Sequence, residues 1–418
     1  MNNIITLTDS YKLSHWKQYP EGTTKIYSYM EARGGDFEEI VFNGLDYYLR
    51  TYLEGHTVWR EFTIEAEYLA AKHGLPFNFE GWKYIDQELN GSLPIEIKAL
   101  PENTLAKVGE PLMLITNTDP NCYWLVNYLE TLLMKTWYPI SVATRAYEVR
   151  KILEKYWSKT VGDIYGVDFA FHNFGDRGSS SVESALIGGL AHLTQFKGTD
   201  NFACIEYSEG YSIPASEHST VTSWGRENEF KFYDNYLELY KGQPMVACVM
   251  DSYNIYEAVD YISSGEFKDK VESDEYPTFV IRPDSGDPIM VIQDIIHILE
   301  DNKVDFSRNA RGYKVFDKYR IIWGDGITKE TISAILDFTQ AKGYSAENFA
   351  FGCGGYLMQQ LDRDTHKMAI KACAIELADG TVRDVYKDPV TDQGKTSKRG
   401  IQDNPRFVTR FKDGVVYE

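Results

Sequence analysis

Pro277-Thr-Phe-Val-Ile-Arg282-Pro-Asp284-Ser-Gly-Asp287-Pro288 is the stretch on which the fold turns. A short apolar run stops abruptly at Arg, Asp, Ser and Gly, and an apolar-periodic segment resumes from Ile289 to Leu299. A buried parallel strand delivers polar groups to the mouth of an α/β core in this way, before a helix carries the chain back. Arg282 can pair with a phosphate in bidentate fashion, and Asp284 can accept hydrogen bonds from sugar hydroxyls or face a developing positive charge. A strand-end salt bridge followed by a Pro/Gly turn would spell the same letters, so repetition has to decide.

The pattern does repeat. Phe169-Ala-Phe-His-Asn-Phe174 runs into Gly175-Asp-Arg177-Gly178, and Val246–Met250 runs into Asp251-Ser-Tyr. Arg320-Ile-Ile-Trp323 ends in Gly324-Asp325-Gly326, and Phe349-Ala-Phe351 ends in Gly352-Cys-Gly354-Gly355. Ile140–Thr144 reads as one more strand, leading into a helix around Tyr147–Tyr156. Ser180 with Glu183 reads as a capping box for a helix over Val182–Leu193. Apolar strands that each end in Gly, Asp or Arg predict an α/β barrel with its active groups at the carboxyl ends. An open doubly wound sheet is the alternative.

Outward from this core the character changes. Residues 9–20 read as a short helix capped by Asp9 or Ser10, and Lys25–Arg33 as a strand. Leu45–Leu53 and Phe62–His73 look helical, and Cys122–Trp137 reads as one buried helix. Leu93–Pro101 and Pro111–Thr116 are short strands punctuated by Gly and Pro. After residue 366 strands return, with Ala369–Leu377 and a final hairpin over Phe407–Tyr417 around Asp413-Gly414. The expected division is a β-rich domain from both chain ends (1–138 with 366–418) and a catalytic barrel (139–365).

Composition limits the functions open to the chain. Asp and Glu total 62 against 43 Lys and Arg, a formal charge of -19. Such a surface repels nucleic acid and anionic lipid, so an anionic substrate needs a local basic pocket. The five cysteines are scattered without CxxC spacing, which argues against zinc and disulfides. No leader pattern and no membrane-length apolar run is present, so a cytoplasmic protein is expected.

Among the candidate groups, Gly352-Cys-Gly354-Gly355 can cradle a phosphate through backbone amides. His218, within Glu217-His218-Ser219-Thr220, sits among polar residues where a histidine does acid, base or nucleophilic work. Asp251 is a candidate to orient it. Asp200 presents a carboxylate after a Lys-Gly-Thr turn, and Phe174 with Arg177 offers an aromatic face beside a cation. Lys387 to Arg399 forms a basic loop in an acidic protein.

Together these segments resemble the nicotinamide phosphoribosyltransferases of the nicotinate/nicotinamide phosphoribosyltransferase family. The resemblance is carried in order by Asp9-Ser-Tyr-Lys through Gln18-Tyr-Pro, Pro94-Ile-Glu-Ile-Lys-Ala, Asn117-Thr-Asp-Pro-Asn-Cys-Tyr-Trp-Leu and Phe196-Lys-Gly-Thr-Asp200. It continues through Pro214-Ala-Ser-Glu-His218-Ser-Thr, Asp251-Ser-Tyr, Ile281-Arg-Pro-Asp-Ser-Gly, Gly324-Asp-Gly, Gly352-Cys-Gly-Gly and Lys387-Asp-Pro-Val. The chain departs from the family pattern at Asn173, Cys353 and Ala369.

The resemblance implies an irregular α/β barrel, the type II phosphoribosyltransferase fold, with a smaller β domain, paired as a homodimer with shared sites. It implies that Phe174 and the partner subunit's Tyr11 sandwich a pyridine ring, with Asp200 on the carboxamide and Arg177 beside it. Arg282, Gly324, Gly354 and Gly355 would hold the 5-phosphate of phosphoribosyl pyrophosphate (PRPP), with Asp284 and Asp325 on the ribose hydroxyls. Arg33, Arg363, Lys371, Lys387 and Lys395 would hold pyrophosphate, accompanied by Mg2+. His218 would be phosphorylated by ATP, an optional co-substrate, assisted by Glu217 and Asp251. The rivals are a nicotinate-using sibling and a non-catalytic binding protein on the same scaffold.

Overall fold

A computed structural model describes residues 3–418, apart from the side chain of Gln393. The chain divides into two compact units, Met1–Thr144 with Leu361–Glu418, and Arg145–Gln360.

The first unit is built on a seven-stranded sheet. Its middle strand is Pro111–Asn117, and the neighbouring Thr23–Glu31 pairs antiparallel with that strand on one side and with Ala369–Leu377 on the other. Ile95–Ala99 and Val408–Lys412 extend it, so residues from both chain ends share one sheet. Buried Asn117 ties neighbouring strands of this sheet together: its side chain accepts from the Ile26 amide and donates to the carbonyls of Thr24 and Asp119.

The second unit is a mixed α/β body with a curled, six-stranded parallel sheet. Its order is Gly198–Thr199, Phe171–Asn173, Phe349–Cys353, Tyr319–Trp323, Thr278–Arg282 and Met245–Val249. Every pairing within it is parallel. The two edges are joined by an irregular segment. Tyr211 bridges Gly198 at one edge, and Ala215 bridges Ala247 at the other. Backbone bonds Thr199 N–Tyr211 O (3.0 Å) and Ser216 N–Ala247 O (3.1 Å) close the circuit, so the barrel expectation holds over the open sheet.

Alternation along the strands sorts the side chains. Phe279, Ile281 and Ile321 face the outer helices and are fully buried. Val280, Ile322 and Ala247 point inward and form a small apolar cluster with Phe174, Ile213, Met245 and Ala350. The helices Pro288–Asp301 and Lys329–Ala341 begin with side-chain caps from Asp287 and Thr328. Each is capped immediately after a strand end, and that geometry leaves the strand's polar tail at the barrel mouth.

Three local expectations need correction. Ile140–Thr144 is not a strand but part of the long helix Trp137–Thr160, in which Ile140, Val142 and Ala143 are fully buried. Burial overrides the β preference of the branched residues there. Cys122–Trp137 is not one helix but short turns, Leu125–Tyr128, Glu130–Leu133 and Met134–Thr136, before that helix starts. The helix Val182–Leu193 is capped by Ser181 with Ser184, not by Ser180 with Glu183.

Candidate active site

The carboxyl ends of the barrel strands gather most of the candidate residues of the second unit. Arg282 ends its strand pointing inward, and its guanidinium lies 5.3 Å from the centre of the Phe174 ring. Its Nε is buried without a hydrogen-bond partner, an unused donor. Asp284 stands 3.7 Å away from the same guanidinium. A side chain at Gly324 would meet Asp284 Oδ1 at 3.2 Å and Phe174 at 3.5 Å. At Gly352 it would overlap the Phe174 ring at 1.9 Å. Gly352 therefore makes room for the ring that follows Asn173, and Gly324 for the Asp284 carboxylate. Gly354 lies beside the Phe174 carbonyl, Gly355 faces open space, and Asp325 is exposed.

Asn173 plays a backbone role. Its Oδ1 accepts from the Gly175 amide at 2.8 Å and its carbonyl accepts from the Asp200 amide at 3.0 Å. The turn carrying Phe174 and the carboxylate of Asp200 are thus fixed to one another. Arg177 is exposed in the turn Asp176–Gly178. Cys353 is buried, donates to the Ile327 carbonyl, and has its thiol pushed up to about 12 by burial.

Below the mouth the barrel interior holds a cavity of about 380 Å³. Phe174, Asp200, His172 and Arg282 line one part of it, and Arg320 with Glu347 another. The wall between is mostly apolar, with Val280, Ile322 and Ala350. Ser212 Oγ donates to Asp200 Oδ1 at 3.0 Å.

His218 opens a short helix, His218–Thr222, rather than lying in a loop; Glu217 is its N-cap and accepts from the Ser219 hydroxyl. His218 Nε2 is 3.0 Å from Asp251 Oδ1. The other Asp251 oxygen accepts from the Asp284 amide at 3.1 Å and from the Ser285 hydroxyl. A carboxylate so fully occupied as an acceptor makes Nε2 the protonated nitrogen and leaves Nδ1 with its lone pair. One aspartate thereby links the histidine to the Arg282–Asp284 strand end.

The first unit holds the remaining candidates. Lys371 Nζ lies 3.8 Å from Glu130, whose other oxygen is bound to Lys12 at 2.6 Å. Burial pushes the Lys371 ammonium below its ordinary range, Glu130 opposes, and Arg33, Lys12 and Arg363 push it down further. Lys371 therefore shares one cationic group with Arg33 and Arg363, in which Glu130 lies beside Lys371 and Asp364 pairs with Arg363 at 2.9 Å, and such a group suits an anion with several charges. Lys387 and Lys395 are exposed on a loop closed by reciprocal bonds between Lys387 and Ser397, and Lys395 pairs with Asp392 at 3.3 Å. Tyr11 is 58% exposed, with His15 at 5.1 Å as its aromatic neighbour.

Sequence reasoning passed over Lys12, Glu130, His172, Ser212 and Ser285. Lys12 and Ser285 lie inside quoted motifs, where a buried amine and a third acceptor-bound donor carry no signature of their own. Glu130 gave no signal, because only the folded chain sets it between two lysines.

Known proteins resemble this chain in sequence and in fold. Residues 169–417 match the nicotinate phosphoribosyltransferase (NAPRTase) family, and residues 3–97 match the nicotinamide phosphoribosyltransferase N-terminal domain. A nicotinamide phosphoribosyltransferase of Xanthomonas campestris is 43% identical over 96% of this chain and 87% of its own length. One of Acinetobacter baylyi is 31% identical over 99% of this chain and 90% of its own. Among solved structures, nicotinate-nucleotide pyrophosphorylase from Pyrococcus furiosus superposes with a TM-score of 0.60 at 15% identity, covering 99% of this chain and 91% of that one. Human nicotinic acid phosphoribosyltransferase gives 0.56 at 15% identity, covering 99% and 90%. Fold and sequence lead to one conclusion: the chain belongs to the nicotinate phosphoribosyltransferase family.

Proposed function

We propose that this member of a pentosyltransferase family is a nicotinamide phosphoribosyltransferase. It joins the ring nitrogen of nicotinamide to C1 of PRPP, giving nicotinamide mononucleotide and pyrophosphate, a step of NAD synthesis or salvage. The observation that carries the reading is a barrel mouth where Phe174, Asp200 and an Arg282 with an unpaired buried Nε line one cavity.

In this reading the C1–O bond breaks and its electron pair leaves on pyrophosphate. The pyridine nitrogen donates its pair to C1 to form the new bond. Positive charge builds on the ribose between the two events, so carboxylates near the sugar and cations on the leaving group both lower the barrier. Arg282, with the Gly324, Gly354 and Gly355 backbone, takes the 5-phosphate; Asp284 and Asp325 take the ribose hydroxyls. Arg33, Arg363, Lys371, Lys387 and Lys395 draw off the pyrophosphate.

Nicotinamide is uncharged, and stacking on Phe174 and on the partner subunit's Tyr11 supplies about 0.5–1.5 kcal/mol per aromatic pair beyond area burial. Arg177 sits beside the ring. Mg2+ would accompany the pyrophosphate held by these cations rather than occupy a protein cage. Bound there, it would neutralise leaving-group charge. ATP acts as an optional co-substrate: His218 Nδ1 attacks its terminal phosphorus, ADP leaves, and Asp251 holds the imidazolium proton with Glu217 alongside. The five buried free thiols fit a reducing, cytoplasmic setting.

Purified protein given nicotinamide, PRPP and Mg2+ should form nicotinamide mononucleotide; absence of product in all conditions, with and without ATP, removes the proposal. A nicotinate-using enzyme is the second reading, and Asp200 opposes it, because a hydrogen bond to an ionised acceptor is worth about 1.5–3 kcal/mol whereas like charges repel. Asp200→Ser is expected to lower the nicotinamide/nicotinate ratio of kcat/KM by about tenfold or more. An unchanged ratio would take selectivity away from this carboxylate.

A further inference from the structure

Asp200 does not stand alone on the cavity wall. Ser212 Oγ, on the segment that closes the barrel, donates to its Oδ1 at 3.0 Å, which leaves the second oxygen for an N–H donor on a ligand. His172, also on that wall, lies one strand position from Asn173, whose carbonyl holds the Asp200 amide. The imidazole Nε2 is 3.0 Å from the Phe169 carbonyl, an obligate acceptor, so Nε2 carries the proton of the neutral ring. A side chain at Gly198 would meet Nδ1 at 2.5 Å, so the ring rests directly on that backbone.

We propose that His172 and Ser212 are the residues through which Asp200 discriminates, Ser212 aiming the carboxylate and the charge of His172 setting whether the wall is net negative or neutral. This rests on the nicotinamide reading above and deepens it. With His172 neutral, the Asp200 charge is uncompensated and a pyridine bearing a carboxylate is repelled. With His172 protonated, anion and cation offset one another and the repulsion fades.

The groups facing the imidazole fix the direction. Burial lowers its affinity for a proton, and Asp200 partly restores it. His192, from the helix Val182–Leu193, is itself held neutral, pushed down to about 4 by burial, so it adds no charge at physiological pH. Arg282 shares the cavity wall, with Tyr211, and Arg320 and Glu347 line it as well. His172 is therefore neutral at pH 7 and above, and it takes up a proton on acidification below the ordinary histidine range. Selectivity for the amide is greatest at neutral and alkaline pH and falls as the pH drops.

The test is the nicotinamide/nicotinate ratio of kcat/KM between pH 5.5 and 8.5 at constant ionic strength, with nicotinate counted as its ring-unprotonated anion because its ring nitrogen begins to take up a proton at the acidic end. In the native enzyme the ratio should fall at least about threefold from pH 8 to pH 5.5. His172→Gln should make it flat. Ser212→Ala should keep the pH slope, start from a lower ratio, and raise KM for nicotinamide more than it lowers kcat. A variant-free arm uses competitors of nicotinamide: nicotinate should inhibit more tightly on acidification, and neutral 3-acetylpyridine should not. A flat native ratio, an unaltered slope in His172→Gln, or parallel behaviour of the two competitors overturns the proposal. Turnover of neither pyridine would instead speak against phosphoribosyl transfer itself.

Discussion

His218 shows how much a single residue's surroundings add to its letter. In the chain it is one of eight histidines. In the fold it is 3.0 Å from an Asp251 that is itself 7% exposed and also bound by the Asp284 amide. Exposed, with Nε2 turned to Asp251, it would present Nδ1 to phosphorus under the proposed phosphorylation. Incubation with γ-labelled ATP should leave acid-labile label on the protein, and His218→Ala should abolish it; label retained in that variant would assign the phosphoryl group elsewhere. Polar candidates of this kind were legible because they stand at strand ends beside Gly and Pro. His172 was not: it sits inside a strand, and only the folded chain puts it on the cavity wall. Asn173, a departure from the family pattern, still provides the acceptor for Gly175 through its amide oxygen.

At the scale of elements, the strands of the barrel could be read because each is a compact apolar run with an abrupt polar end. The segment that closes the barrel could not. Tyr211-Ser-Ile-Pro-Ala-Ser216 carries a proline and pairs through isolated bridges at its two ends, so no periodicity marks it. The Trp137–Thr160 helix misled for the opposite reason, since its β-branched residues are buried and packing outweighs propensity. Ser216 is where the closing segment is bolted to the sheet. It is buried, its amide donates to the Ala247 carbonyl, and its hydroxyl accepts from the Val249 amide at 2.9 Å. Ser216→Ala leaves that amide without a partner, which costs about 1–3 kcal/mol. Chemical denaturation should show a lower midpoint with an unchanged slope, and the His218 labelling rate should fall, because His218 follows two residues later. A variant as stable as the parent would mean that water replaces the hydroxyl.

For the whole molecule, the two units divide the chemistry as the chain's ends divide the sequence. The barrel unit holds Phe174, Asp200, Asp284 and Arg282; the other unit holds Tyr11 and the cations Arg33, Arg363 and Lys371, all within a chain of charge -19. Against that acidic surface a local cationic group stands out as a place that would attract a diphosphate. Under the proposed homodimer, each pocket takes its second aromatic from the partner subunit's Tyr11, which predicts complementation. Tyr11→Ala and Arg282→Ala should each lose most activity alone. Co-expressed in equal amounts, they form mixed dimers in half of cases. One pocket in each mixed dimer then pairs an intact barrel with an intact tyrosine, so roughly a quarter of native activity should return. Recovery no greater than the sum of the separate variants would mean that both residues serve the pocket from one chain, and the shared site would have to be abandoned.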